Sequence, residues 1–297
     1  MTPHGPVLAA TDFSPHARHA ADRAARIAHE KSASLALLHV LPGEALASLR
    51  QWLGAGNVPE GQMMAAARAQ LDRLGAELRA SRHVETACSV AAGPPVDEIL
   101  REAERLDARL IVLGARGTGL LRRLVLGTTV ERLLRRTARP LLVVRQTPHE
   151  PYRRVLVALD FSPWSGQAVA LARRMAPHAH LVLFTAFEVP FEEKLRFAGV
   201  EPATIEAYRQ KARAEATQAV HRLADAAGLK PAQWRPCVVE GEAPLRLIEK
   251  EQELDCDLVV LGKHGVAATA DLLLGSVTRR VLAEGSVDVA VSTAHEA

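Results

Sequence analysis

"LIVLGARGTGLLRRLVLGTTVERLL", residues 110–134, begins as an apolar run without polar alternation, passes through Gly114, Gly117 and Gly127, and ends with helical periodicity. It reads as a buried strand, a glycine-punctuated loop and an amphipathic helix. The same order returns at residues 258–282, "LVVLGKHGVAATADLLLGSVTRRVL", with Gly262, Gly265 and Gly275 in the corresponding places. The offset is 148 at each glycine, at "VLAATDFSP" (Val7 to Pro15) against "VLVALDFSP" (Val155 to Pro163), and at Gly93 against Gly241. A repeat of this length is a duplicated globular domain, since solenoid repeats are several times shorter.

The composition allows two cores. The chain has 297 residues, 48% hydrophobic and 24% charged, which excludes a disordered polymer. Formal net charge is +3, with Lys and Arg interleaved among Asp and Glu along most helical stretches. That argues against nucleic acid as the main partner, because such a face needs clustered cations; the Arg-rich "LLRRTARP" (Leu133 to Pro140) is the feature that would speak for it. Cys88, Cys237 and Cys256 are odd in number and lack CxxC spacing, so they read as buried strand thiols rather than a disulfide framework or a zinc site. The first residues carry no basic segment followed by an apolar stretch, and no apolar run approaches the roughly 18 residues of a bilayer span. A reducing, cytoplasmic setting without membrane attachment is expected.

In the first half, strands are expected at Val7 to Thr11, Leu35 to Leu41, Val84 to Ala91, Arg109 to Leu113 and Pro140 to Val144. Helices are expected at Pro15 to Lys31, about Gly61 to Ser81, Pro95 to Arg105 and Thr128 to Arg136. The second half repeats the order, with strands near Arg154, His180, Gln233, Asp257 and Asp288. Apolar strands separated by helices predict parallel strands covered on both faces, hence an α/β fold of two tandem, doubly wound, five-stranded parallel sheets. "QTPHEPYR" (Gln146 to Arg153) reads as the linker, which divides the chain into domains 1–147 and 148–297.

Glycine admits close approach to the backbone, and a helix N-terminus offers unpaired N–H groups and about half a positive charge. Gly127 followed by Thr128 and Thr129, and Gly275 followed by Ser276, put hydroxyl donors where such helices begin. An anion, phosphate above all, suits that arrangement. The plainer reading is that Gly114 and Gly127 merely end a strand and start a helix. Recurrence of G-x2-G-x9-G-[ST] across diverged intervening residues favours phosphate, although neither GxxxxGK[ST] nor GxGxxG occurs.

The "DFS" after the first strand, Asp12 to Ser14 and again Asp160 to Ser162, together with G-x2-G-x9-G-[ST] after the fourth, resembles the universal stress protein family in its tandem, nucleotide-binding form. The resemblance covers nearly the whole chain. It implies strand order 3-2-1-4-5, an adenine nucleotide α-hydrolase-like fold, and an adenine nucleotide such as ATP held between the loops after strands one and four. Such a crevice is where ligands sit in open α/β sheets. It further implies that Asp12 and Asp160 face the nucleoside, and that Val40 and Ala186 offer backbone hydrogen bonds to adenine. The second of these is weakened because helix one is two residues shorter there and "LLHV" has become "LFTA". Gly114, Arg116, Gly117, Gly127, Thr128 and Thr129 would cradle ribose and phosphates in the first half, as would Gly262, His264, Gly265, Gly275, Ser276 and Val277 in the second. Asp-Phe-Ser-Pro is also a good helix start, so the aspartates could instead be caps, but Ser14 and Ser162 can serve there.

His16 and His19 have helical i, i+3 spacing without an evident third metal ligand, and read as an exposed face. Arg122 and Arg123 are either phosphate contacts or solvated charges. No Ser-His-Asp or Cys-His arrangement stands out, and no strong pair of carboxylates lies beside the glycine loops. Asp12, the obvious carboxylate near the ligand, is assigned to the nucleoside end, far from the γ-phosphate, so a fast ATPase is not expected. The whole describes an ATP-binding, nucleotide-dependent stress-response regulator, the alternative being a slow ATP or nucleotide hydrolase using the same pockets. Mg2+ or Mn2+ would accompany the triphosphate. The halves are expected to pair as an intramolecular pseudo-dimer through their last strands, and a homo-oligomer or a protein partner is compatible with that role. Because Arg116, Arg122 and Arg123 give way to His264, Ala270 and Asp271, the first half is expected to hold triphosphate more tightly.

Overall fold

The computed structural model describes residues 5–53, 60–115, 128–189, 192–265 and 274–293. The chain forms two compact units, Met1–Pro151 and Tyr152–Ala297. The first unit runs β1 (Val7–Thr11), α1 (Pro15–Glu30), β2 (Leu35–Pro42), α2 (Gly43–Leu53), α3 (Glu60–Arg82), β3 (Thr86–Gly93), α4 (Pro95–Arg105), β4 (Leu110–Gly114), α5 (Thr128–Arg136) and β5 (Leu141–Val144). The second runs β6 (Arg154–Ala158), α6 (Pro163–Met175), β7 (His180–Phe187), α7 (Glu192–Phe197), α8 (Pro202–Ala226), β8 (Trp234–Glu240), α9 (Ala243–Glu253), β9 (Leu258–Gly262), α10 (Ser276–Glu284) and β10 (Asp288–Ser292).

Within each unit the strands are parallel and ordered as the resemblance implies, β3-β2-β1-β4-β5 in the first and β8-β7-β6-β9-β10 in the second. The chain starts in the middle of each sheet and winds first one way and then the other. Crevices therefore open at the C-terminal ends of β1 and β4, and of β6 and β9. The central strands are apolar because both faces are covered; every residue of β1 and of β5 is buried. Helix α1 reaches the sheet through alanines, with Ala17, Ala20, Ala21, Ala24, Ala25 and Ala28 all buried, so its backbone lies close to the strands.

The two-residue shortening lies between the first and second strands of the second unit. Val7 pairs with Leu35 and Val155 with Leu181, so β7 follows β2 at an offset of 146 while β6 follows β1 at 148. Helix α1 has 16 residues and α6 only 13. The helices α2 and α7, which follow the second strand of each unit, are not anticipated by the sequence reading. Cys88 and Cys237 lie in strands but are only part-buried, and Cys256 is buried just ahead of β9 rather than within a strand. Burial raises all three thiols, Cys256 to about 12. Among the described residues no helix is long and apolar enough to cross a membrane.

The segment read as a linker is fastened to the first unit. Arg23, buried on α1, donates to the Glu150 carbonyl (2.8 Å), and Arg26 donates to that of His149 (2.9 Å). In the second unit the fully buried Glu251 clasps the end of α10, its Oε1 accepting from the Ser286 N–H (2.7 Å) and hydroxyl (3.0 Å). The corresponding positions of the first unit are Ala103 and Ala138, so the clasp belongs to one copy only. Glu251→Ala should cost on the order of 1–2 kcal/mol in urea unfolding of the second unit, because two hydrogen bonds from Ser286 to a buried carboxylate are lost.

Candidate functional site

The turn out of the first strand is sharp in both units because a phenylalanine adopts the left-handed conformation, with φ 63° at Phe13 and 59° at Phe161. Such a bulky residue there costs on the order of 1–3 kcal/mol and persists only where its surroundings hold it. In the first unit the Phe13 N–H donates to the Thr11 hydroxyl (3.0 Å) and its ring stacks on His39 at 4.3 Å. Asp12 Oδ1 accepts from the Ser14 N–H (3.0 Å), while Ser14 Oγ caps α1 by accepting from the Ala17 N–H (3.2 Å).

The second unit holds the same turn differently. Leu159 replaces Thr11 and Thr185 replaces His39 at the matching strand positions. Asp160 Oδ1 now accepts three hydrogen bonds, from the Ser162 N–H (3.0 Å), the Ser162 hydroxyl (2.6 Å) and the Ser165 hydroxyl (3.0 Å). Ser162 therefore does not cap α6 with its side chain, contrary to the expectation for it. The other carboxylate oxygen, Oδ2, lies where a Cβ on Gly265 would be only 2.9 Å away.

The glycines fall into two kinds. At the end of β4, a Cβ on Gly114 would lie 2.8 Å from the His16 backbone carbon, and at the end of β9 a Cβ on Gly262 would lie 2.9 Å from the Trp164 Cβ. These two are demanded by strand-on-helix packing. Gly275, the N-cap of α10, has ordinary dihedrals (φ −56°) and its nearest neighbour to a Cβ would be the Lys263 carbonyl oxygen at 3.5 Å. Neither backbone conformation nor packing requires glycine there, so the bare backbone at α10 is open to something else. Both ends of this loop are anchored, since the Gly275 N–H donates to the Lys263 carbonyl (3.1 Å) and the Thr278 hydroxyl to that of Gly262 (2.9 Å). Lys263 itself is buried.

These elements enclose a cavity of about 530 Å³ whose lining includes Asp160, Ala186, Gly262, His264, Gly265, Gly275, Ser276 and Val277. All eight second-half positions singled out in the sequence thus converge from β6, β7, β9 and α10. The volume lies inside the roughly 300–1,000 Å³ of small-molecule sites. Ala186 occupies the same register as Val40, since it pairs with Val239 as Val40 pairs with Ala91, which repairs the alignment that the shorter helix had blurred. In the first unit Asp12, Val40 and Gly114 stand at the corresponding strand ends, and Thr128 and Thr129 open α5. Arg116, Gly117 and Gly127, with Arg122 and Arg123, lie outside the described residues, as do Ala270 and Asp271. Among the described residues no three His, Cys, Asp or Glu gather as metal ligands; His19 instead contacts the Thr147 hydroxyl at 3.4 Å.

The model of the universal stress protein family matches residues 4–145 and again 151–292. The chain belongs to the universal stress protein family. A universal stress protein of Mycobacterium tuberculosis is 30% identical over 246 residues, covering 80% of this chain and 79% of that one. A universal stress protein of Bacillus subtilis is 30% identical over 146 residues, 97% of its length but 47% of this chain. A solved universal stress protein from Archaeoglobus fulgidus superposes with a TM-score of 0.68 at 18% identity, over 96% of this chain and 97% of the other, which is a likeness of fold.

This universal stress protein also lines its second-unit cavity with residues that the sequence reading did not select, chiefly Phe161, Trp164, Ser165, Phe184 and Phe187. Ser165 stands where the first unit has Ala17, and Trp164 where it has His16, so comparing the copies position by position carried the signal. The two kinds of glycine should separate in thermal unfolding. Gly262→Ala is expected to destabilise by about 1–3 kcal/mol through overpacking, whereas Gly275→Ala should stay within about 0.5 kcal/mol of the parent.

Proposed function

We propose that this universal stress protein binds an adenine nucleotide in each half and acts as a nucleotide-dependent regulator. The observation that carries the reading is the convergence of the eight second-half positions on one cavity, with the uncrowded backbone of Gly275 at its helix N-terminus. The first N–H groups of α10 have no intrahelical acceptor and point along a dipole that favours a phosphate. Ser276 adds a hydroxyl beside them, and Ala186 presents the end of a strand for base-edge hydrogen bonds. Asp160, with Oδ1 held by Ser162 and Ser165, is a pre-oriented acceptor for a ribose hydroxyl or an adenine amine. The described residues offer no side-chain cage for Mg2+ or Mn2+, so such an ion would be carried by the phosphates themselves.

Hydrolysis at this pocket would have to rely on Asp160 or His264, the titratable groups among its described lining residues. The regulator reading expects no steady-state phosphate release at saturating ATP, and sustained turnover in that assay would move the assignment to a slow hydrolase. Binding is tested by calorimetry on nucleotide-free protein with ATP, where about one nucleotide per half is expected. Gly275→Val should remove the second-half component by setting a branched side chain against the phosphate position. An isotherm without heat for parent and variant alike would defeat the proposal.

A further inference from the structure

We infer that the second-unit cavity is specialised for a nucleoside or a nucleoside monophosphate and discriminates against triphosphate, with Trp164 and His264 as its specificity-determining residues. This rests on the nucleotide-binding reading above and narrows it for one half of the chain. The first observation is charge. Among its described lining residues the cavity has no Lys or Arg, and it does have the Asp160 carboxylate. Toward an anion the lining itself presents the N-terminus of α10, worth roughly half a charge, and the Ser276 hydroxyl. The Arg213 guanidinium stacks over the Phe187 ring at 5.6 Å instead of lining the cavity, an arrangement that suits one phosphate better than three.

The second observation is the change in character between copies. Trp164 and His264 occupy the places where the first half has His16 and Arg116. Phe184 and Phe187 replace Leu38 and Leu41 at the strand-two offset of 146, and Val277 replaces Thr129. These positions bring aromatic or apolar groups to the second-unit lining, while Ser165 in the place of Ala17 and Thr185 in the place of His39 add hydroxyls to it. Trp164 and His264 pack their rings 5.3 Å apart at a tilt of 55°, and His264 is buried. An imidazole near neutral pH is at most a fractional cation, where Arg116 is a permanent one. The second-unit lining therefore offers aromatic surface to a base and sugar, and carries a histidine where the first-half sequence has an arginine.

Trp164 also supplies the readout. The chain has 3 tryptophans, of which Trp52 is 87% exposed in the first unit and Trp234 packs edge-on against His221 in β8. Full-length protein carrying Trp52→Phe is titrated with adenosine, AMP and ATP while tryptophan emission is followed. Adenosine and AMP should give saturating changes that vanish in Trp164→Phe, and ATP should need at least about tenfold higher concentration. His264→Arg, which restores the charge of the first copy, should shift the AMP-to-ATP preference toward ATP by about tenfold. If that variant does not fold, the AMP-to-ATP ratio of the Trp52→Phe protein decides alone. ATP binding as tightly as AMP, or a signal that survives Trp164→Phe, overturns the inference. So does silence toward all three ligands. Calorimetry with ATP on the same protein then shows whether nucleotide binding persists in the chain, separating failure of the specialised pocket from failure of the nucleotide reading itself.

Discussion

Between the end of the fourth strand and the first turn of the first helix there is no room for a side chain. Gly114 lies against the backbone of His16 and Gly262 against Trp164 so closely that one added carbon would collide. That contact draws helix and strand together at the point where the sheet reverses its winding. The alanines of α1 extend the same close approach along the helix, and the left-handed Phe13 turns the chain into it within a single residue. What converges at the crevice in each unit depends on this packing, including the aspartate that precedes the phenylalanine.

Duplication exposes which parts of that corner are constrained and which are free. The left-handed phenylalanine and the aspartate accepting from the serine N–H occur in both units. The supporting groups do not: Thr11 and His39 brace one copy, while Ser162 and Ser165 brace the other. A strained backbone needs partners but not particular ones, so the supporting residues drift while the geometry stays. Trp164 and Phe184 of the second-unit cavity likewise stand where the first unit has His16 and Leu38, with the strand pairing kept.

Much of this was legible in the sequence because the repeat supplies its own control. A fixed offset of 148 relates seven of the eight cavity positions of the second half, and every strand but β7, to their first-half counterparts, and apolar runs without alternation announce parallel strands. The offset fails where α6 is shorter, and only the pairing of Ala186 with Val239 shows that it corresponds to Val40. Helices α2 and α7 were not read from the sequence, although α2 is as long as α4. The role of Ser162 was misread because a serine before a proline is a cap by local chemistry, whereas here a neighbouring carboxylate competes for its hydroxyl. Trp164 was visible as a difference between copies, but that it lines the cavity is a fact of three dimensions.

The cysteines carry one more consequence, for redox chemistry. Oxidants and disulfide exchange act on the thiolate, and burial withholds that form from all three sulfurs. Burial pushes Cys256 furthest of the three, up to about 12. A peroxide burst that would convert an exposed, acidic thiol to sulfenic acid meets a poor nucleophile at each of these positions. Burial therefore disfavours oxidation at these three thiols, and a redox signal is not what their placement suits.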